Sequence, residues 1–205
     1  MSILSDATIT VMSEGQSNPL LSPFNIEQVN PSSYDLTLGN KFLLQVTAGQ
    51  GNRNKTGATC DVYSVYSELP SESTPIDFAN KNTFISWNEV VSTLDFTLYP
   101  GEFALAHTQE VITLPNWVQG KVDGKSSRAR NGLVVENAGI VDPGFKGQIT
   151  LELYNLCSRP ILLRPGLRIA QITFNTLDHG ANRPYGYPDL GSHYQGQMGP
   201  TPARS

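Results

Sequence analysis

The 205-residue chain has little cysteine, little positive charge and no long apolar run. Its two cysteines, Cys60 and Cys157, are too few and too far apart for a disulfide framework or a Cys-x-x-Cys site, so structural zinc is not expected. With 14 Lys+Arg against 18 Asp+Glu and a pI near 5.3, no overall basic field exists to hold a long nucleic acid. A small phosphorylated ligand needs only a few local cations and stays open. No apolar stretch approaches the roughly 18 to 20 residues that cross a bilayer, and the opening MSILSDATITVMSEG lacks the layout of a signal peptide. The expected location is the cytoplasm, with no membrane partner. Histidine is scarce too: His107, His179 and His193 form no HExxH or H-x-E…P-C-x-x-C pattern, and no G-x-S-x-G elbow is present. Zinc deaminases, metalloproteases and α/β-hydrolases drop out together.

What is present reads mainly as β. Ser5 as a cap and Gly15 as a stop predict a short N-terminal helix. YDLTLGNKFLLQV, LDFTLYPGEFALAHTQEVITLP, GQITLELYNL and ILLRPGLRIAQITF then alternate partially and are rich in β-branched and aromatic residues. Pro100-Gly101 and Pro165-Gly166 are turn signals, read as belonging to two different hairpins of a compact barrel or sandwich. Residues 48 to 82 are polar and rich in turn formers, which predicts an elaborated loop. The organisation expected is one body over 1–177 and a tail over 178–205, almost without aliphatic residues, that is flexible or orders on binding.

Two stretches carry candidate chemistry. GKVDGKSSRARNG ends like a P-loop, but position 119 is Gln where that loop needs Gly, and Gly132 stops the helix that should follow. What remains is a short helical turn opened by Ser126 and Ser127, with Lys125, Arg128 and Arg130 around it. Such a turn either holds an anion or is a capped, solvated basic surface. In DPGFKGQITLELYN, Ile149, Leu151 and Leu153 alternate onto one face, and Thr150, Glu152 and Tyr154 onto the other. Glu152 thus points away from the apolar set, towards water or towards a partner surface. Asp142 either initiates the Pro-Gly turn or serves a site.

Taken in order, SSYDLTLGNKF, LYPGEFALAHTQEVITLP, GKSSRARNGL, AGIVDPGFKGQITLELYN, ILLRPGLRIAQITF and HYQGQ closely resemble the dCTP deaminase family of the dUTPase-like superfamily. Residues 48 to 90 lie outside the likeness. The resemblance implies a distorted β-barrel of the β-clip type, a homotrimer with active sites between subunits, and dCTP as ligand, with dUTP or dTTP as further candidates. It implies Mg²⁺ bound through the substrate triphosphate, and no zinc. Carried over, the phosphate-binding element falls on Lys125, Ser126, Ser127, Arg128, Ala129 and Arg130, the sugar- and base-reading acid on Asp142, and the catalytic strand on Thr150, Leu151 and Glu152. In the tail the matched positions are Tyr185, His193 and Gln197, with the tail folding over the triphosphate. Glu152, supported by Ser126 and by backbone carbonyls near 137–139, would shuttle protons in zinc-independent hydrolysis of dCTP to dUTP and ammonia.

Lys125 stands where the family usually has Arg, and His193 where it usually has Lys. VVENAGIVD is one residue shorter than in typical bacterial members and reads like the uracil-binding hairpin of dUTPase. Three alternatives follow: a dUTPase in which Asp142 orients water onto the α-phosphate, a bifunctional enzyme forming dUMP and pyrophosphate, and a non-catalytic nucleotide-binding protein.

Overall fold

The computed structural model describes residues 2–45, 61–64, 87–92, 95–136 and 139–204. It opens with helix α1 (Asp6–Ser13), begun as predicted by Ser5, whose Oγ accepts from the Thr8 N–H at 3.4 Å, and ended before Gly15 at φ +66°. Strands β1 (Leu21–Ser22), β2 (Val29–Asn30), β3 (Ser33–Thr37) and β4 (Lys41–Gln45) follow. Next come β5 (Asp61–Ser64), β6 (Trp87–Val91), β7 (Phe96–Leu98) and the two longer strands β8 (Phe103–Thr113) and β9 (Val118–Gly124). A one-turn helix α2 (Ser126–Ala129) precedes β10 (Leu133–Glu136), β11 (Ile140–Val141), β12 (Lys146–Asn155), β13 (Ile161–Leu163) and β14 (Arg168–Thr176). No described helix is long and apolar enough to cross a membrane.

All pairings among these strands are antiparallel. One sheet runs β10-β12-β8-β4-β6-β5 with β1 added to β8, a second runs β11-β9-β14-β3-β2, and β13 pairs with β7. The expected mainly β, distorted architecture is therefore observed, although among the described residues the strands form three sheets and not one closed ring. A single core joins them: Tyr34, Leu36, Ile172 and Phe174 from the second sheet, Phe42, Ala104, Leu151 and Leu153 from the first, and Leu98 and Leu163 from the short pair. The alternation read in β12 is correct, with Ile149, Leu151 and Leu153 buried and Glu152 on the opposite face, half-buried.

The two Pro-Gly turns do not close hairpins. Pro100-Gly101 joins β7 to β8, and Pro165-Gly166 joins β13 to β14, so each leads from the short pair into a large sheet. Gly101 and Gly166 sit at φ +76° and +85°, closed by Glu102 N–H to Tyr99 O and Leu167 N–H to Arg164 O, both 3.0 Å. A positive φ on the second central residue alone is the mark of an unprimed turn, whose twist does not suit a two-residue hairpin. Within the expected loop region, Asp61–Ser64 form a strand against β6; the rest of residues 48 to 82 lies outside the described residues.

The tail, expected to be flexible or to order on binding, packs against the body in this structure. After β14 it contains no strand among the described residues, yet Tyr185 N–H donates to Pro143 O at 2.7 Å and Gly196 N–H to Lys146 O at 2.7 Å. The Tyr185 ring packs on Phe145 with centroids 5.7 Å apart, and its hydroxyl accepts from the Tyr194 N–H at 3.0 Å. Few aliphatic residues are needed, because aromatic contacts and backbone hydrogen bonds substitute for a core of the tail's own.

Candidate active site

The Lys125–Arg130 turn is built as the sequence predicts. Lys125 occupies the cap position of α2, and Gly132 N–H closes the end by donating to Ala129 O at 2.9 Å. Ser126, Ser127, Ala129 and Arg130 are exposed, and Arg128 is half-buried, with its Nε donating to Arg168 O at 3.3 Å. Lys125 differs from its neighbours: its ammonium donates to Asp35 Oδ1 at 2.5 Å. The same carboxylate accepts from Asn30 Nδ2 at 3.2 Å, and Arg168 Nη1 lies 3.7 Å from its other oxygen.

Asp35 is buried because β3 is covered on both sides. Tyr34 and Leu36 enter the core, while Ser33, Asp35 and Thr37 are buried on the other face. Asp35 is joined through Gln28 to a second buried acid: Gln28 Nε2 donates to the Asp35 carbonyl at 2.6 Å and to Glu110 Oε1 at 3.0 Å. Glu110 also accepts from the Thr37 N–H and hydroxyl at 3.0 and 2.7 Å. Each carboxylate thus has several donors, as burial of a charge requires. Sequence reading gave no role to Asp35, although a charged residue inside the β-rich run SSYDLTLGNKF was a signal for it.

Strand β10 links this turn to Glu152. Gly124, at the end of β9, lies so near Val135 that a Cβ would come within 2.9 Å of the Val135 carbonyl oxygen. The next residue, Glu136, stands opposite Glu152 in the β10–β12 ladder. Glu152 titrates above the usual carboxylate range, first because partial burial penalises its charged form and second because the Glu136 carboxylate repels it. A carboxyl tuned in this direction holds its proton more readily, as a group that must return protons to the substrate requires.

The other predicted residues are placed as follows. Asp142 is exposed, and the turn after it is closed by Phe145 N–H donating to the Asp142 carbonyl at 3.1 Å. Thr150 Oγ1 accepts from the Thr201 N–H at 3.1 Å, and Leu151 is wholly in the core. His193 is exposed and offers its carbonyl to Arg204 Nη1 at 2.8 Å. Gln197 is buried: its Nε2 donates to the Gln148 carbonyl at 2.7 Å, while its Oε1 has no hydrogen-bond partner among the described residues. A buried acceptor left in this way is costly unless something donates to it. Residues 137 and 138, two of the three whose carbonyls were expected to help, lie outside the described residues.

Beneath Thr150, its ladder partner His107 is buried against Gly39. Its Nε2 accepts from the Lys41 N–H at 3.3 Å and its Nδ1 lies 2.8 Å from Thr108 O, which assigns the proton to Nδ1. Burial lowers its pKa, so it is a neutral packing residue.

The profile of dCTP deaminase-like proteins matches residues 3–177. The chain belongs to this family. A relative from Beutenbergia cavernae, named dCTP deaminase, dUMP-forming, is 41% identical over 192 residues, covering 93% of this chain and 88% of its own. A relative of the same name from Corynebacterium glutamicum is 38% identical over 186 residues, covering 90% and 87%. Among solved structures, the 2'-deoxycytidine 5'-triphosphate deaminase of Agrobacterium tumefaciens superposes with a TM-score of 0.57 at 23% identity, over 85% of this chain and 47% of that one. That likeness supports the family's fold, and the sequence relatives support enzymatic activity.

Proposed function

We propose that this protein converts dCTP and two waters to dUMP, ammonia and pyrophosphate. The observation that carries the reading is the 41% identity, across nearly the whole chain, to a relative named for forming dUMP. The bifunctional alternative therefore replaces the expected release of dUTP as the end product.

In the first step Glu152, as carboxylate, takes a proton from water as the oxygen attacks C4 of cytosine, passes it to the ring nitrogen, and then transfers the second proton to the departing amine. Its raised pKa and its place beside a buried strand support this role. Ser126, at the start of α2, would steady the water. In the second step Asp142, an exposed acid in a fixed turn, would orient another water onto the α-phosphate, breaking its bond to the bridging oxygen and releasing pyrophosphate. Arg128 and Arg130 would face the triphosphate with full charge, whereas the charge of Lys125 is partly met by Asp35. Mg²⁺ would be held through phosphate oxygens and water.

The inter-subunit reading gives Glu152 a reason to be half-buried in one chain: a trimer would finish the enclosure. The test is a parallel assay of ammonia and pyrophosphate from dCTP and from dUTP with Mg²⁺. Both products from dCTP are expected; ammonia with dUTP accumulating would overturn the dUMP reading, and neither product would overturn catalysis on dCTP.

A further inference from the structure

The two edges of β12 are covered unequally. β8 pairs with it from Lys146 to Tyr154, whereas β10 covers only Glu152 to Asn155. The edge left open before Glu152 is taken by the chain's own tail: Gly196 N–H donates to Lys146 O at 2.7 Å, and Gln148 N–H donates to Gln197 O at 3.0 Å. Gly147 makes the approach sterically feasible, since a Cβ there would lie 2.9 Å from the Gln197 carbonyl oxygen.

Gln148 then adds what backbone pairing alone does not supply. Its Oε1 accepts from the Gly199 N–H at 2.6 Å, and its Nε2 donates to the Gln109 carbonyl on β8 at 3.1 Å. One side chain thereby ties the tail on one side to β8 on the other. The register with β8 shifts between Gln148 and Thr150, yet both side chains reach the tail, and Thr150 and Glu152 share one face by the two-residue period of the strand. Gly199 is bound to Gln148 and Thr201 to Thr150, and Glu152 is next along that face. The tail then turns back: Arg204 N–H donates to the Tyr194 hydroxyl at 3.1 Å, and the guanidinium lies over that ring at 5.9 Å.

We infer that Gln148 is a positioning residue which clamps Gly199–Thr201 along β12, so that the end of the tail forms a standing wall beside Glu152. The clamp is made of groups within the chain, so the wall holds without a nucleotide. Its bearing on substrate rests on the proposed role of Glu152; the clamp itself does not.

Hydrogen exchange of the full-length protein without nucleotide tests this. The amides of Gly196, Gly199 and Thr201 are expected to be protected. Gln148→Met keeps the volume but removes both side-chain hydrogen bonds, and is expected to speed exchange in the tail by about tenfold while peptides from β3 and β14 stay unchanged. The KM for dCTP is expected to rise by a similar factor, about tenfold, with kcat nearly constant. Free-chain exchange of the wild-type tail, or a Gln148→Met protein with unaltered tail protection, overturns the clamp. If Gln148→Met does not fold, Thr201→Pro decides: it removes the N–H given to Thr150 but leaves the Gln148–Gly199 bond, so Gly199 is expected to stay protected, and free-chain exchange of Gly199 there also overturns the clamp. Absence of ammonia release by the wild type would instead refute the functional reading, and the exchange data would still decide the clamp.

Discussion

Glu136 stands directly opposite Glu152 across the β10–β12 ladder. Like charges in that position repel, and partial burial of Glu152 adds to the penalty on its ionised form. Replacing Glu136 by Gln removes one of these causes and leaves burial in place. The acid limb of kcat/KM for ammonia release should therefore move to lower pH, while staying above that of an ordinary carboxylate. The stability effect has a definite sign. A carboxyl whose folded pKa is raised stabilises the fold while protonated, and that contribution is lost as pH rises through the raised value. Glu136→Gln should be more stable than the wild type at neutral pH, with the difference fading below the ordinary carboxylate range. Unchanged pH profiles would rule out the coupling.

Two substitutions should separate the two chemical steps. Glu152→Gln should lower ammonia release from dCTP by about 10²- to 10⁴-fold, the usual worth of a general acid–base group, while calorimetry shows dCTP binding largely kept. The same variant should still release pyrophosphate when dUTP is supplied. Asp142→Asn should do the reverse, slowing pyrophosphate release more than ammonia release so that dUTP accumulates. Equal loss of both products in both variants would defeat the division of labour.

The Lys125–Asp35 pair should be worth more to the fold than a surface ion pair, because the side chains are only 22% and 5% exposed. Lys125→Ala should cost about 3 kcal/mol, at the low end for a broken buried pair because Asn30 and Arg168 still face the carboxylate. That corresponds to a fall of about 6–12 °C in Tm. Removing Asp35 as well should cost less than the sum of the single changes, since no uncompensated buried charge is then left. Calorimetric melting of the two single variants and the double variant measures this.

If each site takes Arg130 from one chain and Glu152 from another, mixing two dead proteins should restore activity. Arg130→Ala and Glu152→Gln, unfolded and refolded together, are expected to form mixed trimers that contain an intact site and release ammonia. Mixed trimers with no recovered turnover would place both residues in the same chain's site.

Much of this was legible along the chain. Ser5 and Gly15 marked α1, Ser126 and Gly132 bounded α2, and the alternation through Ile149, Leu151 and Leu153 put Glu152 on the correct face. These are local signals, set by capping groups, a residue that accepts positive φ, and the two-residue period of a strand. The Pro-Gly pairs announced turns correctly but not the strands they connect, since a turn directs the chain without choosing its pairing partner.

The sequence by itself determined helix α1, the short α2 turn, the alternation of β12 and the family to which they belong. Only the tertiary structure decided the partners: Asp35 for Lys125, Glu136 for Glu152, and Gln148 for the tail, joining residues 90, 16 and 51 positions apart. Such pairs carry no mark in local composition. They arise when non-local strands are brought together and a buried charge or unpaired backbone group must find a partner among whatever side chains the packing delivers.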